Sequence, residues 1–171
     1  LETTALPSIL VEYSDVIQVF IPELKDTVIE QSIASINRSL LNANIRMAIL
    51  LKDIPNAKEI LERLKYSGAE QTVILNCIKH STKSLTSKIE LKQFLSKLNI
   101  PFDIYHTYRY AIDTDYPRYN MLAYYHEIQD ASEPYLLKHL AIDGNTIKGI
   151  GYQGKEIADV LHACLDEVIH H

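Results

Sequence analysis

Apolar side chains recur at helical spacing along almost the whole chain, and no run alternates like a strand bounded by hairpin turns. That pattern predicts an all-α fold, an irregular array of many helices. Ser8 to Tyr13, behind Pro7, reads as a short helix, and Asp15 to Phe20 as a second that Pro22 ends. Val28, Ile29, Ile33, Ile36, Leu40 and Leu41 trace one stripe of a longer helix with Thr27 as N-cap. Ile45 to Leu51 forms an apolar helix stopped before Pro55, and Asn56 caps the helix that carries Ile60, Leu61 and Leu64.

Two capping boxes follow. Ser67-Gly68-Ala69-Glu70 and Ser87-Lys88-Ile89-Glu90 each set a serine three residues before a glutamate, ahead of an apolar run. Asp103 to Asp113 and Pro117 to Asp130 read as further helices, with Tyr105, Tyr108 and Ile112 in one stripe. Seven of the eleven tyrosines fall between Tyr105 and Tyr125, beside Arg109 and Arg118. Tyrosine and arginine together can stack on bases and hold phosphates, but at helical spacing they also serve as packing.

Composition changes after Pro134. Four of the five glycines lie between Gly144 and Gly154. Gly144 suits a tight turn at positive φ, and Asn145 or Thr146 can begin a short helix around Ile147. Gly149 can end that helix, and Gly154 opens the last one, Lys155 to Ile169. Ile157, Val160, Leu161, Cys164 and Val168 form its expected buried face. The division is a helical body over residues 1–135 and a tail over 136–171, a small C-terminal helix-turn-helix subdomain. Free amides at the start of the last helix, with Lys155 beside them, suit one phosphate; a plain structural junction is the other reading.

The net charge of −5 argues against a free-standing nucleic-acid binder. The charge is uneven, however. Lys79, Lys83, Lys88, Lys92 and Lys97 lie together with Glu90 as the single acid, either a solvated face or a set of phosphate contacts. No apolar run is long enough to span a bilayer, so no membrane partner is expected. Cys77 and Cys164 both sit in apolar helical patterns and read as buried free thiols of a reducing, cytoplasmic compartment. The chain opens on Leu-Glu and ends on His170-His171, which reads as a fragment carrying the remnant of an affinity tag.

No catalytic or metal-ligating residue is assigned. Gly149, Gly151 and Gly154 make a G-x-G-x-x-G string, but no strand precedes it. No Cys-x-x-Cys or His-x-x-x-His pair offers metal-ligand spacing, and the histidines His80, His106, His126, His139 and His162 are scattered one to a helix.

The tail closely resembles that of bacterial CCA-adding enzymes, the tRNA nucleotidyltransferases and the related poly(A) polymerases. Leu140, Ile142, Gly144, Ile147, Gly151, Gly154, Ile157, Leu161, Leu165 and Val168 carry the match. Thr146 stands where the family usually has Asp, and Ala158 where it usually has Gly. Upstream, Ile21-Pro22-Glu23-Leu24, the helix Arg46 to Ile54 and the segment Ile60 to Tyr66 resemble family segments in the same order. The resemblance implies a part that binds tRNA at its acceptor stem and elbow for a catalytic head upstream on the same parent chain. That head would need Mg²⁺ with CTP and ATP; no cofactor is expected in this segment. The turn Gly151, Gly154 and Lys155 is the contact region carried over, and Lys79, Lys83, Lys88 and Lys92 are added on physical grounds. Some relatives hold an HD-type phosphohydrolase metal site, but Lys52 here replaces the histidine before Asp53. A degenerate hydrolase and a helical protein-interaction module are the alternatives.

Overall fold

A computed structural model describes residues 1–170, and so not His171 of the terminal pair. The described residues form eleven α-helices and one 3-10 turn, with no strand among them. They divide into two compact units along a different line from the 135/136 division: Leu1–Ser84 with Asn99–Tyr116, and Leu85–Leu98 with Pro117 onward.

The first unit is built on α4 (Ala43–Leu51). The Asn42 carboxamide caps it by accepting from the Ile45 amide at 3.0 Å, and every side chain from Ile45 to Leu51 is buried. A helix apolar all round must be covered on all sides. Here α3 (Asp26–Arg38), α6 (Gly68–Lys79) and α8 (Phe102–Ile112) cover it, with Ile29, Ile36, Ile74, Cys77, Tyr105 and Tyr108 supplying buried side chains. Each of the three isoleucines contributes about 1.5–3 kcal/mol by its burial. Around them lie α1 (Leu6–Glu12), α2 (Ser14–Phe20) and α5 (Ala57–Arg63). The Glu23 carboxylate receives both Arg63 nitrogens, at 3.2 and 2.7 Å, and ties the turn after α2 to α5.

Several local expectations change. Lys25, not Thr27, stands at the N-cap of α3, and Ser39 ends that helix, so Leu40 and Leu41 leave the stripe and are exposed. Asn56 makes no capping bond; its amide donates to Glu23 at 3.2 Å instead. The box at Ser67 is complete: its hydroxyl accepts from the Glu70 amide at 3.3 Å and its own amide donates to the Glu70 carboxylate at 2.8 Å. At Ser87 only half forms, because Glu90 turns to the amide and hydroxyl of Thr86, at 2.7 and 2.9 Å.

The second unit holds α7 (Lys88–Leu95), α9 (Arg118–Asp130), the 3-10 turn Leu137–His139, α10 (Gly144–Gly149) and α11 (Lys155–His170). α7 packs on α9 and α11, and α10 packs on α11. The buried face of α11 is Leu165 and Ile169; Ile157, Val160, Leu161 and Cys164 are half-buried, and Val168 is exposed. The expected stripe is thus offset toward the C-terminal half, where α7 covers the helix.

Candidate nucleic-acid interface

The tail turn is set by one aspartate and two glycines. Asp143 caps α10, its Oδ1 accepting from the Thr146 amide and hydroxyl, both at 2.9 Å. Those hydrogen bonds hold its carboxyl below the usual range. Gly144 is therefore the first residue of a helix rather than a positive-φ turn, and a Cβ there would meet Ile157 Cγ2 at 3.4 Å. Gly149 is the last helical residue, also without positive φ. The left-handed positions are Gly151, at φ +110°, and Gly154, at φ +56°.

These two bends hold the segment between α10 and α11 out of the core. Ile150 is 68% exposed and Tyr152 41%, with Lys148 and Lys155 exposed on either side. The first turn of α11 also carries an acid. Glu156 accepts from the Gln153 amide at 3.3 Å, so part of the donor end is already used. Gly151, Gly154 and Lys155 thus lie together on an exposed turn. Tyr152 and Lys148 belong with them, although the glycine spacing alone did not single them out.

The lysine stretch is divided between the two units. Lys79 ends α6 and Lys83 lies in the loop after it, both exposed, in the first unit. Lys88 and Lys92 are on α7 in the second. Lys92 is buried, only 4% exposed, and its ammonium lies 3.2 Å from Glu133. An acid from the loop after α9 holds it in the interior, a placement that spacing along α7 could not reveal. Lys88 is half-buried and pairs with Glu133 at 2.7 Å and Glu127 at 3.5 Å. These contacts raise its affinity for its proton, the hydrogen bond to Glu133 foremost, and leave it less available to a phosphate.

In the first unit, the Lys52 ammonium forms an ion pair with Asp53. His80 follows α6, and its carbonyl accepts from the Tyr105 hydroxyl at 3.2 Å. Among the described residues no three His, Cys, Asp or Glu side chains are grouped to hold a metal ion. Tyr105 and Tyr108 are wholly buried, so these two tyrosines are packing. Burial pushes the Tyr105 hydroxyl up to about 12 and the Tyr108 hydroxyl higher still. Arg109 pairs with Asp113 at 2.6 Å and lies 5.4 Å from the centre of the Tyr116 ring.

No protein-family model, curated protein or solved structure matches this chain. Among the described residues no helix is long and apolar enough to cross a membrane.

Proposed function

We propose that this chain is an RNA-binding helical region that holds tRNA for a nucleotidyltransferase of the CCA-adding type in the cytoplasm. The catalytic head, with its Mg²⁺, CTP and ATP, belongs to the same parent polypeptide. The observation that supports this reading best is the exposed turn from Lys148 to Lys155. Two ammonium groups flank an exposed aromatic ring there, on a backbone bent outward at Gly151 and Gly154. Lysines contact phosphates as point charges, and a ring can stack on a base for about 1–3 kcal/mol. Lys79 and Lys83 remain exposed cations that can add to the electrostatic attraction.

Gel-shift titration against tRNA and an acceptor-stem minihelix, at low and moderate salt, tests it. Binding weakens with salt, and replacing Lys155 with Ala lowers the slope by about one counterion. Tyr152→Ala weakens binding while leaving that slope unchanged. Absence of binding to either RNA at low salt would sink the proposal.

One feature favours a protein partner instead. α2 contributes no fully buried side chain, and Val19 and Phe20 are 77% and 64% exposed. A pull-down that depends on Val19 and Phe20, together with indifference to RNA, would favour that second reading.

A further inference from the structure

The turn after α9 builds a second polar site within the second unit. The helix ends with Ser132 at φ +51°, and the Glu133 amide reaches back to the Ile128 carbonyl at 2.9 Å. The 3-10 turn Leu137–His139 then brings His139 against Tyr135, with ring centroids 4.8 Å apart and planes at 86°. Between these segments lies a cleft of about 530 Å³, lined in part by Gln129, Ser132, Glu133, Tyr135, Lys138 and His139.

The hydrogen bonds already made decide what the cleft presents. The Tyr135 amide donates to His139 Nδ1 at 3.3 Å, and a ring nitrogen that accepts carries no proton. The neutral imidazole therefore holds its proton on Nε2 as a donor. Burial and the neighbouring Lys138 both lower the affinity of His139 for a second proton. Gln129 Nε2 donates to the Tyr135 hydroxyl at 3.2 Å, which leaves the phenolic proton to be given elsewhere. Lys138 is a donor only and is exposed at the cleft, where the Ser132 hydroxyl can donate as well. Glu133, the one carboxylate among the described lining residues, is engaged by Lys88 and Lys92, at 2.7 and 3.2 Å.

Three donors, Tyr135 Oη, His139 Nε2 and the Lys138 ammonium, thus share the lining with a carboxylate that two lysines already neutralise, and that set matches a ligand that accepts through several oxygens. We propose that this cleft binds a phosphate group, whose oxygens accept from Tyr135 Oη, His139 Nε2 and Lys138 Nζ. The group is either a phosphodiester of RNA or a free phosphate ester. The first source rests on the RNA-binding reading above, and the second does not.

The whole chain, isotopically labelled, is titrated with inorganic phosphate, with chloride at matched ionic strength as control. The Tyr135 amide and His139 ring signals shift saturably with phosphate and not with chloride. Lys138→Ala weakens that binding about tenfold, the loss of one charge-assisted hydrogen bond. Tyr135→Phe keeps the ring and weakens it by a smaller factor. Shifts that follow chloride equally, or an affinity unchanged in both variants, would overturn the site. The same variants are then measured against the minihelix. Weaker minihelix binding assigns the phosphate to RNA; unchanged minihelix binding beside weakened phosphate binding assigns it to a free ester. Failure of the wild-type chain to bind any RNA removes the RNA reading alone, and the phosphate titration still decides the cleft.

Discussion

The Lys92 ammonium lies 3.2 Å from Oε2 of Glu133, and the other oxygen of that carboxylate takes Lys88 at 2.7 Å. The arrangement is asymmetric, because Lys92 is buried while Lys88 is half-buried with Glu127 in reach. Glu133→Gln leaves the Lys92 ammonium inside without its counter-charge and costs about 2–3 kcal/mol. Lys92→Met keeps the stem volume and leaves Glu133 its contact with Lys88, so it costs under about 1 kcal/mol. Urea unfolding of the two variants checks the order.

Asp143 contributes a pH-dependent cap. Hydrogen bonds from Thr146 and its neighbours hold its carboxyl below the ordinary value. A lowered folded-state value stabilises the fold above the unfolded carboxylate range, and that contribution is lost as pH falls through the lowered value. Asp143→Asn keeps a good cap but cannot titrate. The expected result is an acid-unfolding curve less steep in the Asp143→Asn variant than in wild type below the carboxylate range, with near-equal stability at neutral pH. Identical acid limbs would show that the cap is silent.

The helical class was legible because it follows from local chemistry: apolar spacing, the complete box at Ser67 and Glu70, and prolines at the breaks. What the pattern missed came from distant partners. Asn56 does stand at the N-cap of α5, but its side chain makes no cap bond and instead donates from Nδ2 to Glu23, far off in sequence. Lys92 looked like part of a basic face until Glu133 drew it inward. The segment 85–98 joins the unit that holds the tail, a pairing that periodicity within a helix does not encode. In the tail, glycine content located the turn but not which glycines bend it. Asp143 caps the helix ahead of Asn145 and Thr146, where it was expected to begin, and that puts Gly144 in the helix and leaves the bends to Gly151 and Gly154.

The two thiols differ where the sequence read both as buried. Cys77 is wholly enclosed, and burial pushes its thiol up to about 12; Cys164 on α11 is only half-buried. A thiolate is the reactive form, so the native chain titrates with a disulfide reagent at mildly alkaline pH as one prompt thiol. The second appears only after unfolding. Cys164→Ser abolishes the prompt phase, and survival of that phase would refute the assignment.

Arg46 fastens the first residues to α4. Its Nη1 donates to the carbonyls of Leu1 and Thr3, both at 2.6 Å, and its Nε donates to Ser39 Oγ at 3.1 Å. Lysine cannot reproduce this fork, since it offers one nitrogen in place of a planar set. Arg46→Met releases carbonyls that water can reach in part, so its cost is about 2 kcal/mol. Limited proteolysis then cuts near Thr3 and Thr4 sooner than in wild type. Unchanged protection there would mean that the segment is held by α1 alone.

Backbone conformation, rather than space, limits what Gly151 and Gly154 can be replaced by. A Cβ at Gly151 or Gly154 meets nothing within 4 Å, yet both residues sit at positive φ. Alanine at either position is therefore destabilising, by about 1 kcal/mol, although nothing clashes. Lys65 presents the converse. It holds φ +62° at the end of α5, where the Tyr66 amide returns to the Leu61 carbonyl at 3.0 Å. Glycine suits that position in a helix-ending motif of this kind, so Lys65→Gly is stabilising by about 0.5 kcal/mol. Thermal unfolding of the three variants measures the signs. Neutral glycine-to-alanine changes would show that the turn relaxes to negative φ, and the outward placement of Tyr152 would lose its support.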